Sequence, residues 1–336
     1  YVQNGTVNFL TPRNARSLLP LIGLFGILSL GQAFVVITGG IDLSAGSVVA
    51  LIATLAAFLL DKGEGYSPWV VMPFVLGLSA LIGLWHGLLI TKARIQPFVV
   101  TLCGLFFYRG FARVIAQDAT QGFGSASTYP TWNWLANGFV PNEHSVLPVP
   151  FIIFLVFAGI TAAFFHFMPH GRHIFALGAN EESARFSGIR TQRLKIFAYT
   201  MCSLICGIGA LLFGFNINSI GPATFGNFYE LYAVAGVVLG GCSLRGGSGN
   251  ILGVVVGAAL IRVLINLVTI LDIPSELEYV VIGGAILVGV FVDEFLSSRR
   301  KTRVACHTAL AVQQCRYRRP RPSGPHRSSR TRAMRG

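Results

Sequence analysis

Charge is what this chain has least of. Only 12% of its 336 residues are Asp, Glu, Lys or Arg, against 53% hydrophobic ones, whereas an ordinary soluble domain carries about 25% charged residues. That scarcity excludes a soluble globular protein and fits a polytopic membrane protein. Catalytic signatures are missing too. No GxxxxGK[ST] occurs, and none of the lysines at 62, 92, 195 and 301 follows a glycine, so the chain has no phosphate cradle of its own. No HExxH or comparable catalytic set is present. Six cysteines occur without paired metal-type spacing. Cys103, Cys202, Cys206 and Cys242 lie in or beside apolar runs and read as packing residues, while Cys306 and Cys315 lie in the tail. His166, His170 and His173 cluster, but Pro169 and Gly171 are expected to interrupt the helical spacing a metal pair would need. No catalytic residue and no metal or other cofactor on this chain is expected.

Long apolar runs are what the chain does have. They fall at 17–38, 45–60, 68–90, 96–116, 149–168, 196–215, 231–242, 250–271 and 277–296, and most approach the ~20 residues a membrane-crossing helix needs. Continuous rather than alternating apolarity excludes a β-barrel, and lipid leaves the backbone no other partner than its own helix. The expected fold is an all-α, polytopic helical bundle of about nine crossings, occupying 17–298. Residues 1–16 are expected to form an extracytoplasmic segment and 299–336 a basic, disordered cytoplasmic tail. The tail carries 12 of the 26 Lys and Arg and no acid, so nearly all of the formal net charge of +13 belongs to it. Such charge suits anionic lipid or nucleic acid electrostatically; lipid is the expected partner and nucleic acid is not.

Orientation follows from loop charge. Loop 169–195, with Arg172, Arg185, Arg190, Arg193 and Lys195, and loop 91–95, with Lys92 and Arg94, are expected inside. Segments 117–148 and 216–230 contain no Lys or Arg and are expected outside, as is 272–278 with only Asp272, Glu276 and Glu278 charged. Nine crossings then leave Arg13 and Arg16 outside, which an upstream helix preceding Tyr1 would repair, giving ten. Arg109 and Arg113 violate the charge rule at the outer end of 96–116. They imply either a re-entrant segment or a wet protein interior.

One pattern occurs twice. "GGIDLSAGS" at 39–47 and "GGCSLRGGS" at 240–248 share GGxxLxxGS, each after a Val-Val pair, Val35-Val36 and Val237-Val238. Either glycines recur by chance in a chain with 39 of them, or the two copies are a parallel internal repeat whose helices break at GG. Short or Gly-interrupted helices in matching positions of two halves point to a translocation path, here Gly39, Gly40, Asp42 and Ser44 with Gly240 and Gly241. Asp42 is able to accept from backbone N–H groups freed at the break, as a cap of the helix starting near Ser44 or as a direct contact to cargo. Arg262 and Asn266, four apart in an apolar run, share a helical face. That face either lines the pathway or clamps two helices. Asn216, Asn218 and Glu230 are expected at the outer face, in contact with a delivered ligand or in solvent.

In loop 169–195, Asn180 reads as an N-cap, Glu181 and Glu182 as a first turn and Gly188 as a stop, giving a helix of about two turns that needs a docking partner. With these residues on the page, "GGIDLSAGS", "PFVVTLCGLFFYRG" (97–110), "GRHIFALGANEESARFSGI" (171–189), "YELYAVAGVVLGGCSLRGGSGNILG" (229–253) and "VVIGGAILVGVFVD" (280–293) together resemble the permease subunits of bacterial ABC importers for ribose and other simple sugars, in the same broad family as the branched-chain amino-acid permeases. The resemblance, over 14–298, implies a ten-helix subunit of the inner membrane that pairs with a second permease copy, identical or not. It further implies a separate cytoplasmic ATPase, which holds ATP and Mg, and a periplasmic sugar-binding protein. It makes 169–195 the ATPase-coupling loop, including Gly171, Arg172, Gly178, Asn180, Glu181, Ala184, Arg185 and Gly188. The tail has no counterpart in that family and is expected to be dispensable. The competing reading is an ion-coupled secondary transporter, which would need several intramembrane acids where the sequence offers only Asp42.

Overall fold

The computed structural model describes residues 2–3, 6–7, 9, 11–141 and 145–271, and beyond them only 274, 277, 280, 281, 283, 284, 287–289 and 291. The tail 299–336 lies outside the described residues, and the apolar run 277–296 lies mostly outside them. After a short antiparallel pair, β1 (Val2–Gln3) and β2 (Thr6–Val7), the described chain is helical. The order is α1 (Pro12–Ile37), α2 (Ala45–Leu60), a single 3-10 turn (Asp61–Gly63), α3 (Pro68–Thr91), α4 (Pro97–Ala116) and α5 (Pro130–Asn137). A second pair, β3 (Phe139–Val140) and β4 (Leu147–Pro148), leads into α6 (Val149–Phe167), α7 (Pro169–Ala179), α8 (Glu181–Phe186), α9 (Thr191–Ile217), α10 (Tyr229–Leu239) and α11 (Ile251–Ile270).

Among the described residues, seven helices are long and apolar enough to cross a membrane: α1, α2 with its 3-10 turn, α3, α4, α6, α9 and α11. They coincide with seven of the nine apolar runs. The eighth run, 231–242, yields only the 11-residue α10, roughly 16 Å at 1.5 Å per residue, about half the hydrocarbon thickness. Proline marks the starts: Pro12, Pro68, Pro97, Pro130 and Pro169 each occupy a first helical turn, where the missing N–H costs nothing because it would have no intrahelical acceptor. Pro169 opens α7 just after α6 ends at Phe167, so the expected interruption between His166 and His170 is present. Gly171 lies inside α7, and the expected interruption between the histidines is absent at that point. His170 and His173 sit one turn apart with ring centroids 6.4 Å apart. Among the described residues no His/Cys/Asp/Glu group could hold a metal.

Burial orders the bundle. In α1, 89% of the apolar window is buried inside protein, against 28% in α4 and 33% in α6 and α11; α1 is the axial helix and the others face lipid. It packs on α9, α10, α6 and α11, while α2 lies between α4 and α9, and α3 lies along α9. Close helix approach uses small residues, as is usual in membranes. A Cβ on Gly83 would strike the Tyr199 carbonyl and Thr200, and one on Gly87 would strike Ile196. Midway along α1, Phe25 meets Phe213, Tyr229 and Tyr232 at centroid distances of 4.9, 4.8 and 5.8 Å. This contact sets the start of the short α10 against the middle of α1. Outward-facing Trp69, Phe74, Trp85, Phe98, Phe106 and Phe107 are exposed, as lipid-facing positions should be.

Candidate functional site

Both glycine pairs end a helix in the same way. At the end of α1, Gly39 has φ +80; its N–H donates to Val36 O at 2.9 Å, and Gly40 N–H donates to Val35 O at 3.1 Å. At the end of α10, Gly241 has φ +81; its N–H donates to Val238 O at 2.8 Å, and Cys242 N–H to Val237 O at 3.1 Å. This double closure requires a left-handed residue after the cap, which glycine adopts without strain. Geometry therefore equates Gly39 with Gly241, so the sequence pairing of Gly39 with Gly240 is corrected by one residue. The Val-Val pairs keep that register.

Beyond the turns the copies diverge. After α1 the chain forms a strap, 38–44, that runs back into the protein. Gln32 Nε2 donates to Asp42 O at 2.7 Å, and Thr101 Oγ1 donates to Ile41 O at 3.3 Å. Asp42 is 1% exposed, and its Oδ1 accepts from Ser44 N at 2.8 Å and Ser44 Oγ at 2.6 Å. It thus secures the first free N–H groups ahead of α2, whereas Ser44 makes no side-chain cap bond. After α10 the chain instead makes an exposed turn closed by Gly246 N to Ser243 O at 2.9 Å and Ser243 N to Ser248 O at 3.1 Å. It enters α11 only at Asn250, whose Oδ1 accepts from Leu252 N at 3.0 Å.

The two breaks and the loop after α6 meet. Gly247 N donates to Ile37 O at 2.9 Å, joining the second turn to the end of α1. Gly178, near the end of α7, lies against both: a Cβ there would overlap Ile37 O and Gly247 N. A Cβ on Gly246 would lie 2.7 Å from Gly39 N and 2.9 Å from Gly178 O. Three segments remote in sequence thus touch backbone to backbone, and a side chain at any of these glycines would separate them. Gly240 serves a different contact, the crossing of α10 with α11, where a Cβ would strike Gly253.

The loop itself is two short helices. Gly171 packs under Phe164 and Phe165, holding α7 against the end of α6. Asn180 Oδ1 accepts from Ser183 N at 2.9 Å and caps α8. Gly188, φ +84, closes it through Gly188 N to Arg185 O at 3.0 Å and Ile189 N to Ala184 O at 3.1 Å. Ala184 is buried against the body, and Glu181 pairs with Lys195 at 2.6 Å. Arg172, Glu182, Arg185 and Phe186 face outward. α8 is six residues, about the two turns expected, between the Asn180 cap and the Gly188 stop; Asn180 also ends α7.

Around the strap lies a polar cluster the sequence reading missed. Asp42 is close enough to act electrostatically on His86, Tyr108, Tyr199, Cys202 and Glu230. His86 Nε2 and Tyr108 OH are 2.9 Å apart. Gln32 Oε1, His86 Nδ1, Tyr199 OH and Ser203 Oγ are buried without a hydrogen-bond partner among the described residues, and an unsatisfied buried polar group costs about 1–3 kcal/mol. Gly40 sits directly under the Tyr199 hydroxyl, which a Cβ would strike. A Gln at 32 and a His at 86 inside apolar runs were the available signals. Glu230, expected at the outer face, is instead 7% exposed and abuts Gly46 at the start of α2. Asp42 is thus not the sole buried acid.

Other marked residues find structural partners. Asn266 and Asn14 exchange hydrogen bonds at 3.0 and 2.9 Å, and Arg262 lies 4.5 Å from the Phe25 ring centroid. Both contacts join α11 to α1. Asn216 Nδ2 donates to Asn137 Oδ1 at 2.8 Å, and Asn218 Oδ1 accepts from Phe123 N at 2.7 Å, tying the 117–138 segment to α9. α4 is one continuous helix of 20 residues. Arg109 donates to the carbonyls of Pro222 and Phe225, and Arg113 pairs with Asp118 at 2.7 Å.

Among the described residues, seven candidate spans and two helix breaks that meet at the end of α7 define a multi-pass membrane protein. The model of the branched-chain amino acid transport system / permease component family matches residues 14–290, and the chain belongs to that family. It is 34% identical over 288 residues to the ribose import permease protein of Bacillus subtilis (strain 168), covering 85% of this chain and 86% of that one. To the ribose import permease protein of Escherichia coli (strain K12) it is 33% identical, covering 85% and 87%. To the xylose transport system permease protein of Haemophilus influenzae (strain ATCC 51907 / DSM 11121 / KW20 / Rd) it is 27% identical over 338 residues, covering 85% and 90%. No solved structure matches the chain.

Proposed function

We propose that the chain is the membrane-spanning subunit of an ATP-driven importer of a ribose-like monosaccharide in the bacterial inner membrane. Two permease copies form the pathway, a separate ATPase supplies ATP and Mg, and a periplasmic binding protein delivers the sugar. The observation that carries this reading is the Gly178 junction. A force applied to α7 and α8 reaches Ile37 and Gly247 through backbone contacts, so the loop moves both helix breaks together. Alternating access then consists of shifting the strap 38–44, with Asp42 and Ser44, and the 240–250 turn as one unit. The sugar is inferred from the ribose and xylose permeases to which the chain is similar. This chain forms no covalent intermediate.

The test is uptake of labelled ribose and xylose into proteoliposomes holding the permease, its ATPase and its binding protein. Import that needs both partners and ATP supports the reading. A second reading, the ion-coupled carrier, draws on the two buried acids Asp42 and Glu230. Uptake driven by an ion gradient with the permease alone would establish that one instead.

A further inference from the structure

Polar atoms inside a lipid-embedded bundle normally find partners, because neither lipid nor an apolar core supplies any. Four side chains depart from this rule within one neighbourhood. Gln32 on α1, His86 on α3, and Tyr199 and Ser203 on α9 are 0%, 1%, 1% and 2% exposed, yet Gln32 Oε1, His86 Nδ1, Tyr199 OH and Ser203 Oγ have no partner among the described residues. They are grouped by the strap: Gln32 holds its Asp42 carbonyl, Tyr199 OH covers Gly40, and His86 is one turn from Gly83 of α3, which abuts Tyr199 and Ser203. Ser203 is one turn from Tyr199, on the part of α9 that Gly83 of α3 abuts.

We propose that these four side chains form a waypoint for the hydroxyl groups of an uncharged sugar, engaged when the strap moves off Tyr199. The inference rests on the sugar-importer reading and adds the residues and chemistry of passage. Role matching carries it. Gln32 Oε1 only accepts, Tyr199 and Ser203 both donate and accept, and His86 Nδ1 does either according to tautomer. A hydroxyl, itself donor and acceptor, satisfies every one of them. An anion does not fit, since Asp42 stands at the centre and no Lys or Arg belongs to the group. Asp42 Oδ1 is engaged by Ser44 N and Oγ at the start of α2, which leaves the four neutral side chains to meet the sugar. Gly40 is then required for space, since any side chain there would displace the Tyr199 hydroxyl on which the strap rests.

The experiment uses the full importer in proteoliposomes, with Tyr199→Phe and Gln32→Met as variants that remove the polar atom and nearly keep the volume. Labelled ribose and xylose are the probes, and both sugar uptake and ATP hydrolysis are recorded. The expected result is normal thermal stability in Tyr199→Phe, whose hydroxyl has no partner to lose, a lowered one in Gln32→Met, which also gives up the bond to Asp42 O, and in both variants normal binding-protein-stimulated hydrolysis per folded protein with uptake per ATP lowered about tenfold, the equivalent of one hydrogen bond lost in transit. Wild-type uptake per ATP in both variants overturns the waypoint. So does an equal fall of uptake and hydrolysis, which would place the effect in coupling. A wild-type importer that carries neither sugar while importing another ligand would overturn the functional reading itself, a result separate from either variant outcome.

Discussion

The two helix breaks share a turn and differ in everything around it. Gly39 and Gly241 close their helices with the same pair of backbone hydrogen bonds, but the first turn feeds a buried strap and the second an exposed loop. Thr38, Gly40, Asp42 and Ser44 are buried; Gly241, Leu244, Arg245 and Ser248 are exposed. A turn motif is local and recurs wherever a helix must end, whereas its burial is set by which helices surround it. α9 and α4 cover the first break. The second has α11 on one side and the α7 end on the other. The first is therefore the position where a moving backbone changes the protein interior, and the second is where motion from the loop is received.

The largest effect should come from the point that joins the two. Gly178→Val places a branched side chain into the backbones of both breaks and should lower stability by about 3 kcal/mol, the upper end of overpacking penalties. Melting of the detergent-purified protein measures it, with Gly159→Val as control, since nothing lies within 4 Å of a Cβ there. An equal response of the two variants would dissolve the junction.

Asp42→Ala leaves Ser44 N and Oγ buried without an acceptor and should cost about 1–3 kcal/mol. Ser243→Ala, in the exposed turn, should change stability by less than about 0.5 kcal/mol. Asp42→Asn keeps an acceptor oxygen and should fall between them. Chemical denaturation of the three variants ranks them, and a Ser243 effect as large as that of Asp42 would erase the difference between the breaks.

Gly40→Leu and Gly241→Leu separate space from conformation. The first meets Tyr199 OH and Val35, while the second meets nothing within 4 Å but sits at φ +81. Gly241→Leu should therefore show only backbone strain of about 1–3 kcal/mol, and Gly40→Leu should lose uptake more than membrane abundance. Gly188→Val, also at positive φ in open space, carries at least the same backbone strain, about 1–3 kcal/mol, and should abolish binding-protein stimulation of ATP hydrolysis in the protein that remains folded. Full stimulation would make the loop a plain connector.

The smallest effect lies far from both breaks. The Arg113 guanidinium hydrogen-bonds Asp118 and holds its carboxyl below the usual carboxylate range. Stability from this pair is present above the ordinary carboxylate pKa and is lost as pH falls through the lowered folded value. Being exposed, the pair is also screened by salt. A shallow acid-side loss of stability that vanishes in Asp118→Asn and at high salt is the expected result, read from melting temperature against pH.

Much of the architecture was legible because it depends on composition and local chemistry. Apolar run length located the seven spans, since a helix must keep its backbone bonded across lipid. Asn180 and Gly188 marked the ends of α8, because capping is decided within a few residues. α5 and α7 were not seen, since TWNW and the histidine-rich stretch lack an apolar run of spanning length. The burial of Glu230 was equally invisible, because its short helix stands at mid-bundle only through the packing of Tyr229 and Tyr232 on Phe25.

By itself, then, the sequence determined a helical membrane bundle, two glycine-broken helices and a capped loop helix, all consequences of hydropathy and of what glycine and asparagine do at helix ends. Only the tertiary structure decided that Gly178 seats the loop on both breaks, that Gly39 matches Gly241, and that Gln32, His86, Tyr199 and Ser203 gather around Asp42. Those contacts join residues up to about two hundred positions apart. They depend on helix approach distances set by small residues along whole interfaces, which local patterns do not encode.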